Sequence, residues 1–140
     1  MLAAEDGPGV AKFGRLAHSA VAGRGWLGCG REFGTGSWLA PALRGEHLAD
    51  PARWCALRIT FELLDAQSVV SSTLVGNEPS RRVSQRSGYL ADGVSVDTSR
   101  GVREDMVRFR ISRERWRELE RPVIAARGVH ELRTAVLGEN

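Results

Sequence analysis

The 140-residue chain is poor in aromatic residues, at 6%, and carries a single tyrosine and a single lysine, Lys12. Its two cysteines, Cys29 and Cys55, form no CxxC pair, and no histidine lies at metal-ligand spacing. Two unrelated reduced thiols and no metal site are therefore expected. No apolar stretch comes near the roughly 20 residues that cross a bilayer. No charged start leads into an apolar h-region, so a cytoplasmic protein without membrane contact is expected. Charge of one sign is not gathered anywhere. The 20 basic residues, 19 of them arginine, alternate with 17 acidic ones, for a net charge of +3. Nucleic-acid binding needs a cationic patch, with aromatics interleaved where bases stack. Neither is present, and no nucleic-acid partner is expected.

What is present fits one globular domain. Hydrophobic residues make up 42% and charged residues 26%, ordinary values for a folded domain able to bury about two-thirds of its unfolded surface. Nine of the 16 glycines fall between residues 7 and 36, with no sustained period of 2.0 or 3.6. Glycine costs backbone entropy on ordering, so residues 1–34 read as a loop-like segment with at most a helical turn over Ala11–Val21. Residues 35–140 form the structured part. Thr35–Leu39 reads as a strand stopped by Pro41, and Asp50-Pro51 as an N-cap and first turn. Trp54, Leu57, Phe61 and Leu64 make one apolar helical stripe. Ser68–Val75 is β-branched and reads as a buried strand. Asn77 and Pro79 open a second helix that ends at Gly88. Tyr89–Val96 and Val102–Ile111 read as paired strands, followed by a short helix over Arg113–Glu120 capped by Ser112 and a weak strand between Val129 and Val136. The seven arginines from Arg100 to Arg117 read as a solvated face. The fold class is a mixed α/β (α+β) sheet with the order strand, helix, strand, helix, strand, strand.

Two segments carry chemistry. The first is Ser37-Trp38-Leu39, followed by Arg44-Gly45-Glu46-His47-Leu48-Ala49 at a helix start. The second is Asn77-Glu78-Pro79-Ser80-Arg81-Arg82-Val83 leading to Gly88-Tyr89. A helix start offers free amides and the positive end of the helix dipole, which suits a pyrophosphate. The second segment meets N-x-x-S-x-x-V-x-x-x-x-G-[YF] at each fixed position. Together they resemble the GNAT superfamily of acyl-CoA-dependent N-acetyltransferases, in its branch related to the acetyltransferases of ribosomal-protein N-termini. The resemblance covers residues 35–120, the C-terminal half of such a domain.

The resemblance implies acetyl-CoA as co-substrate and transfer of its acetyl group to a primary amine of a protein N-terminus or small molecule. It implies that Trp38, Leu39, Arg44, Gly45, Glu46, His47, Leu48, Ala49 and Asn77 bind the donor. It also implies that the Ser80 hydroxyl protonates the leaving thiolate. Each residue has a plainer reading: Asn77 and Ser80 as helix caps, Trp38 as core, His47 as an exposed loop residue. Glu32 and Glu46 are the nearest carboxylates for a base, and neither matches a fixed family position. His47 stands where the family has glycine, Asp50 places a negative charge beside the expected pyrophosphate, and Pro51 removes an amide. Arg53 and His47 are the cations available to offset that charge, so a weakened grip is expected. The strands and helices that precede the donor strand in the family are not legible in residues 1–34. The competing reading is a non-catalytic truncated remnant or interaction subunit. Either the chain is a truncated relative or a second copy, as a homodimer, completes the sheet, since an open edge is a liability.

Overall fold

The computed structural model of the protein describes residues 2–3, 10–13, 17–24, 31–39, 41–45, 48–99 and 101–123. Among the described residues seven strands and three α-helices follow one another. Strands β1 (Leu2–Ala3), β2 (Val10–Phe13), β3 (Ala17–Arg24) and β4 (Glu32–Leu39) precede helix α1 (Ala49–Arg58). Strand β5 (Ser68–Leu74), helix α2 (Glu78–Arg86), strands β6 (Leu90–Ser99) and β7 (Val102–Ser112), and helix α3 (Arg113–Glu118) complete the order. The strands form one sheet in the order β1-β2-β3-β4-β5-β7-β6. All neighbours are antiparallel except β4 and β5, which run parallel.

From β4 onwards this is the expected mixed α/β succession. The N-terminal part differs. Leu2–Ala3, Val10–Phe13 and Ala17–Arg24, within the segment expected as a loop and a helical turn, are strands, and β4 begins at Glu32, so a boundary between residues 34 and 35 would cut through a strand. The reason lies in the partner. β3 and β4 pair over eight residues, from Ala17↔Leu39 to Arg24↔Glu32, with Gly23 opposite Phe33 and Gly34 opposite Ala22. Ladder bonds are made by the main chain, so a glycine weakens a strand without deleting a donor or acceptor. Pairing across a sheet leaves no period in the sequence when one partner is glycine-rich.

Helix α1 buries Leu57 against the sheet, and the stripe continues through Phe61 and Leu64, both almost fully buried. The segment is not α-helical throughout. Residues Ile59–Leu63 widen into a π turn, which ends at Asp65 in the left-handed region (φ 53°). Arg113 locks this end. Its guanidinium donates to the carbonyls of Ala66 (2.7 Å) and Phe61 (3.1 Å) and pairs with Asp65 (2.7 Å). Phe33, Val69, Phe109 and Ile111 supply the sheet side of the core. Trp116 of α3 closes it, stacking on Phe61 with centroids 5.2 Å apart and leaning on Trp54 at 5.8 Å.

Helix α2 is bounded by the expected signals. Asn77 is its N-cap, accepting from the Ser80 amide (3.3 Å), and Pro79 lies in its first turn. Gly88 follows the C-cap with φ 88°, and a Cβ there would meet the Leu119 side chain at 2.3 Å. Only glycine takes that backbone without strain. Ser112 caps α3 through the Arg115 amide (3.2 Å). The N-cap of α1, in contrast, is Leu48 and not Asp50, and it makes no side-chain cap. Ala49 and Asp50 already lie inside the helix, and Asp50 pairs with Arg86 of α2 (2.9 Å). The strand expected between Val129 and Val136 and Cys29 lie outside the described residues.

Candidate active site

The two parallel strands at the centre of the sheet come apart. β4 and β5 pair at Glu32↔Ser68, Phe33↔Val69 and Gly34↔Val70, and at no later position. Each nevertheless keeps its outer neighbour. β4 stays on β3 out to Leu39, and β5 stays on β7 out to Leu74↔Met106. Two strands held from outside and parted inside make a fork, whose inner edges present unpaired backbone groups. A ligand with amides could fill that gap as an added strand would.

One face of the fork changes chemistry along its length. Side chains alternate along a strand, so Phe33, Thr35 and Ser37 share a face, as do Val69, Ser71 and Thr73. At the paired end these are apolar and buried. At the parted end they are hydroxyls. The guanidinium of Arg53, from α1, lies among them. It donates to Ser71 Oγ (2.8 Å) and Thr35 Oγ1 (3.3 Å) through one nitrogen and to Ser37 Oγ (2.7 Å) through the other. It therefore bridges β4 and β5 just beyond their last pair. Arg53 is 2% exposed, and its Nε has no partner. Burying an ion costs several kcal/mol, which hydrogen bonds from a charged donor offset by about 1.5–3 kcal/mol each.

Tyr89 supports this arrangement from below. Its hydroxyl lies 2.6 Å from Thr35 Oγ1, and Arg53 sits 5.6 Å from its ring centroid. Burial pushes the Tyr89 phenol above the usual tyrosine range, and the Arg53 charge opposes this only in part. The sign follows from that direction. A phenol held neutral contributes stability that is complete below the unfolded tyrosine value, about 10, and is lost as pH rises through the higher folded value. As the only tyrosine of the chain, it alone gives the phenolate absorbance near 295 nm. Titration is expected to show no phenolate at the ordinary tyrosine pKa, and ionisation only at higher pH or on unfolding. Arg53→Met is expected to move it further up.

The opposite face of the fork is an open groove that Glu32, Gly34, Gly36, Val70, Ser72 and Arg108 help to line. Beside it, Arg110 pairs with Glu32 and with Asp92 (3.2 Å), and Arg108 also reaches Asp92 (3.2 Å). The hydrogen bond from Arg110 to Glu32 raises the guanidinium above its ordinary pKa. Arg108 and Arg110 of β7 are thus not a merely solvated face. They are tied to acids from β4 and β6, because β7 lies inside the sheet and not at its edge.

The donor-binding residues expected from the sequence fall at the end of the fork. Leu39 ends β4, Arg44 and Gly45 follow it, and Leu48 and Ala49 open α1. Gly45 takes the left-handed backbone, at φ 92°. Glu46 and His47 lie outside the described residues, as does the side chain of Trp38. Among the described residues no side chain caps α1, so the amides of Ala49 and Asp50 stay open to a ligand. The charge expected to disfavour a phosphate, Asp50, is held by Arg86, with Nε at 3.1 Å from both carboxylate oxygens. Arg53, expected to offset that charge, is buried under the fork. Asn77 performs the capping its type favours, and Ser80 sits in the first turn of α2 with its hydroxyl unbonded among the described residues.

The hydroxyl partners of Arg53 and its place among them escape sequence reading. The signal was there in the alternation Phe33-Thr35-Ser37 and Val69-Ser71-Thr73, but only the parting of the strands gives it meaning. Among the described residues no helix is long and apolar enough to cross a membrane, and no group of three or more His, Cys, Asp or Glu residues could hold a metal.

Comparison with known proteins bears on this geometry. Residues 10–90 match the family described as Acetyltransferase (GNAT) domain. The chain is 30% identical over 83 residues to the "Putative ribosomal N-acetyltransferase YdaF" of Bacillus subtilis (strain 168), covering 58% of this chain and 45% of that protein. It thus spans less than half the length of that relative. Among solved structures, a "Probable acetyltransferase" superposes with a TM-score of 0.67 at 24% identity, covering 76% of this chain and 63% of the other. The spermidine/spermine N-acetyltransferase SpeG from Vibrio cholerae gives a TM-score of 0.65 at 17% identity, over 78% of this chain and 66% of the other.

Proposed function

Because the chain belongs to the GNAT acetyltransferase family, we propose that it transfers an acyl group, in the simplest case acetyl, from a coenzyme A thioester to a primary amine. The observation that carries this reading is the fork between β4 and β5, with an uncapped helix start beyond it. The pyrophosphate of the donor would lie on the amides opening α1, near Arg44, Gly45, Leu48 and Ala49. Its pantetheine arm would enter the fork and pair with backbone groups past Gly34 and Val70.

The acceptor would approach from the open groove. Its neutral amine attacks the thioester carbonyl carbon, a C–N bond forms, and the C–S bond breaks. One proton leaves the amine, and one reaches the departing thiolate. Holding the two reactants at bonding distance supplies most of the acceleration in such a reaction. Ser80 is the proposed donor of the proton to sulfur. Glu32 and Asp97 are the carboxylates that line the groove, and the pair of Glu32 with Arg110 makes Glu32 a positioning group in this reading, with water carrying the amine proton. The acceptor amine is that of a protein N-terminus or a small molecule in this reading.

Calorimetric titration with acetyl-CoA tests the proposal. Binding in the micromolar range, about −8 kcal/mol, supports an acyltransferase. Absence of heat with a folded protein favours the remnant reading.

A further inference from the structure

The charge under the fork has no counter-charge among the described residues. Among the described residues Arg53 forms no ion pair, and its three partners are neutral hydroxyls. The acids nearby are committed elsewhere. Glu32 and Asp92 lie with Arg108 and Arg110 on the other face of the sheet, and Asp50 is held by Arg86. The guanidinium is 2% exposed, and its Nε is an orphaned donor. A buried cation left in this state is suited to an anion brought in from outside. Its planar array of N–H groups matches a carboxylate better than any other common anion of that size. Ser37 and Ser71 can rotate their hydroxyls from accepting to donating, so they would add bonds to the same oxygens.

We propose that Arg53 is the receptor for a carboxylate at the end of the donor's acyl chain, so that the fork favours coenzyme A thioesters of dicarboxylic acids over acetyl-CoA. The inference rests on the fork being the donor groove and specifies which acyl group the groove holds. Position supports it. Arg53 spans Ser37 of β4 and Ser71 of β5 just past the last strand pair, Gly34↔Val70. An acyl group at the leading end of a donor threaded into the fork stops there. The transfer step is unchanged: the distal carboxylate takes no part in making the C–N bond or breaking the C–S bond, and it stays ionised throughout.

Three thioesters distinguish the possibilities in competition binding to the full chain: acetyl-CoA, succinyl-CoA and butyryl-CoA, the last a neutral match in length for succinyl. Succinyl-CoA is expected to bind at least about tenfold more tightly than the other two, the scale of one charge-assisted bidentate contact. In Arg53→Met the ratio of succinyl to butyryl affinity is expected to fall toward one. Ser37→Ala, at an exposed strand position that perturbs folding little, is expected to reduce the same ratio severalfold. Equal affinity for all three thioesters overturns the inference, as does a succinyl preference that survives in both variants. Acetyl-CoA binding without a dicarboxylate preference overturns this inference alone. Failure of every thioester to bind overturns the donor-groove reading and this inference with it.

Discussion

Replacing Trp116 by alanine is expected to destabilise the protein by about 3–5 kcal/mol, the usual cost of removing a fully packed tryptophan. That is a large share of the roughly 5–15 kcal/mol that holds a domain of this size together. The midpoint of thermal unfolding should drop by on the order of 10–20 °C. The expectation comes from placement. Trp116 is 3% exposed on the one-and-a-half-turn helix α3, stacked on Phe61 and leaning on Trp54. α3 is too short to hold itself, so the ring joins it to α1 and to the π turn after it. Circular dichroism during heating measures the drop. A fall of only a few degrees would mean that α3 is not part of the core.

A second substitution separates fold from function. Gly36→Leu is expected to leave stability unchanged or raised while weakening acetyl-CoA binding by roughly tenfold or more, about 1.4 kcal/mol. Gly36 is paired with Ala20 within β4, and a Cβ built on it meets nothing within 4 Å. Its φ is not in the left-handed region, so a side chain costs no backbone strain, and strands favour most residues over glycine. The new side chain would project into the groove beside the parted strands, where donor and acceptor meet. Paired melting curves and titrations check both halves. Unaltered affinity would place the donor away from Gly36.

Much of this architecture was legible before any coordinates. The stripe from Trp54 to Leu64, the β-branched run of β5, the Asn77 cap, the Gly88 stop and the alternation of Val107, Phe109 and Ile111 each rest on local rules, and each marks an observed element. What was not legible depended on partners distant in sequence. β3 was hidden because its pattern is completed by β4 across the sheet. The pairing of Asp50 with Arg86, residues 36 apart, has no local signal either. Arg108 and Arg110 looked like surface charges because nothing local shows that β7 lies between β5 and β6. The candidate site divides in the same way. The loop and helix motifs could be read, whereas the Arg53 cluster joins residues from three elements and has no motif.

The account turns on the parted strands and the helix start beyond them receiving a coenzyme A thioester. Backbone amide chemical shifts of the isotope-labelled protein, followed during titration with acetyl-CoA, test this most directly. The account predicts that the largest changes fall on Thr35–Leu39, Ser71–Leu74 and Leu48–Ala52, with little change along β6. Changes confined to other parts of the chain, or none at saturating thioester, would contradict it.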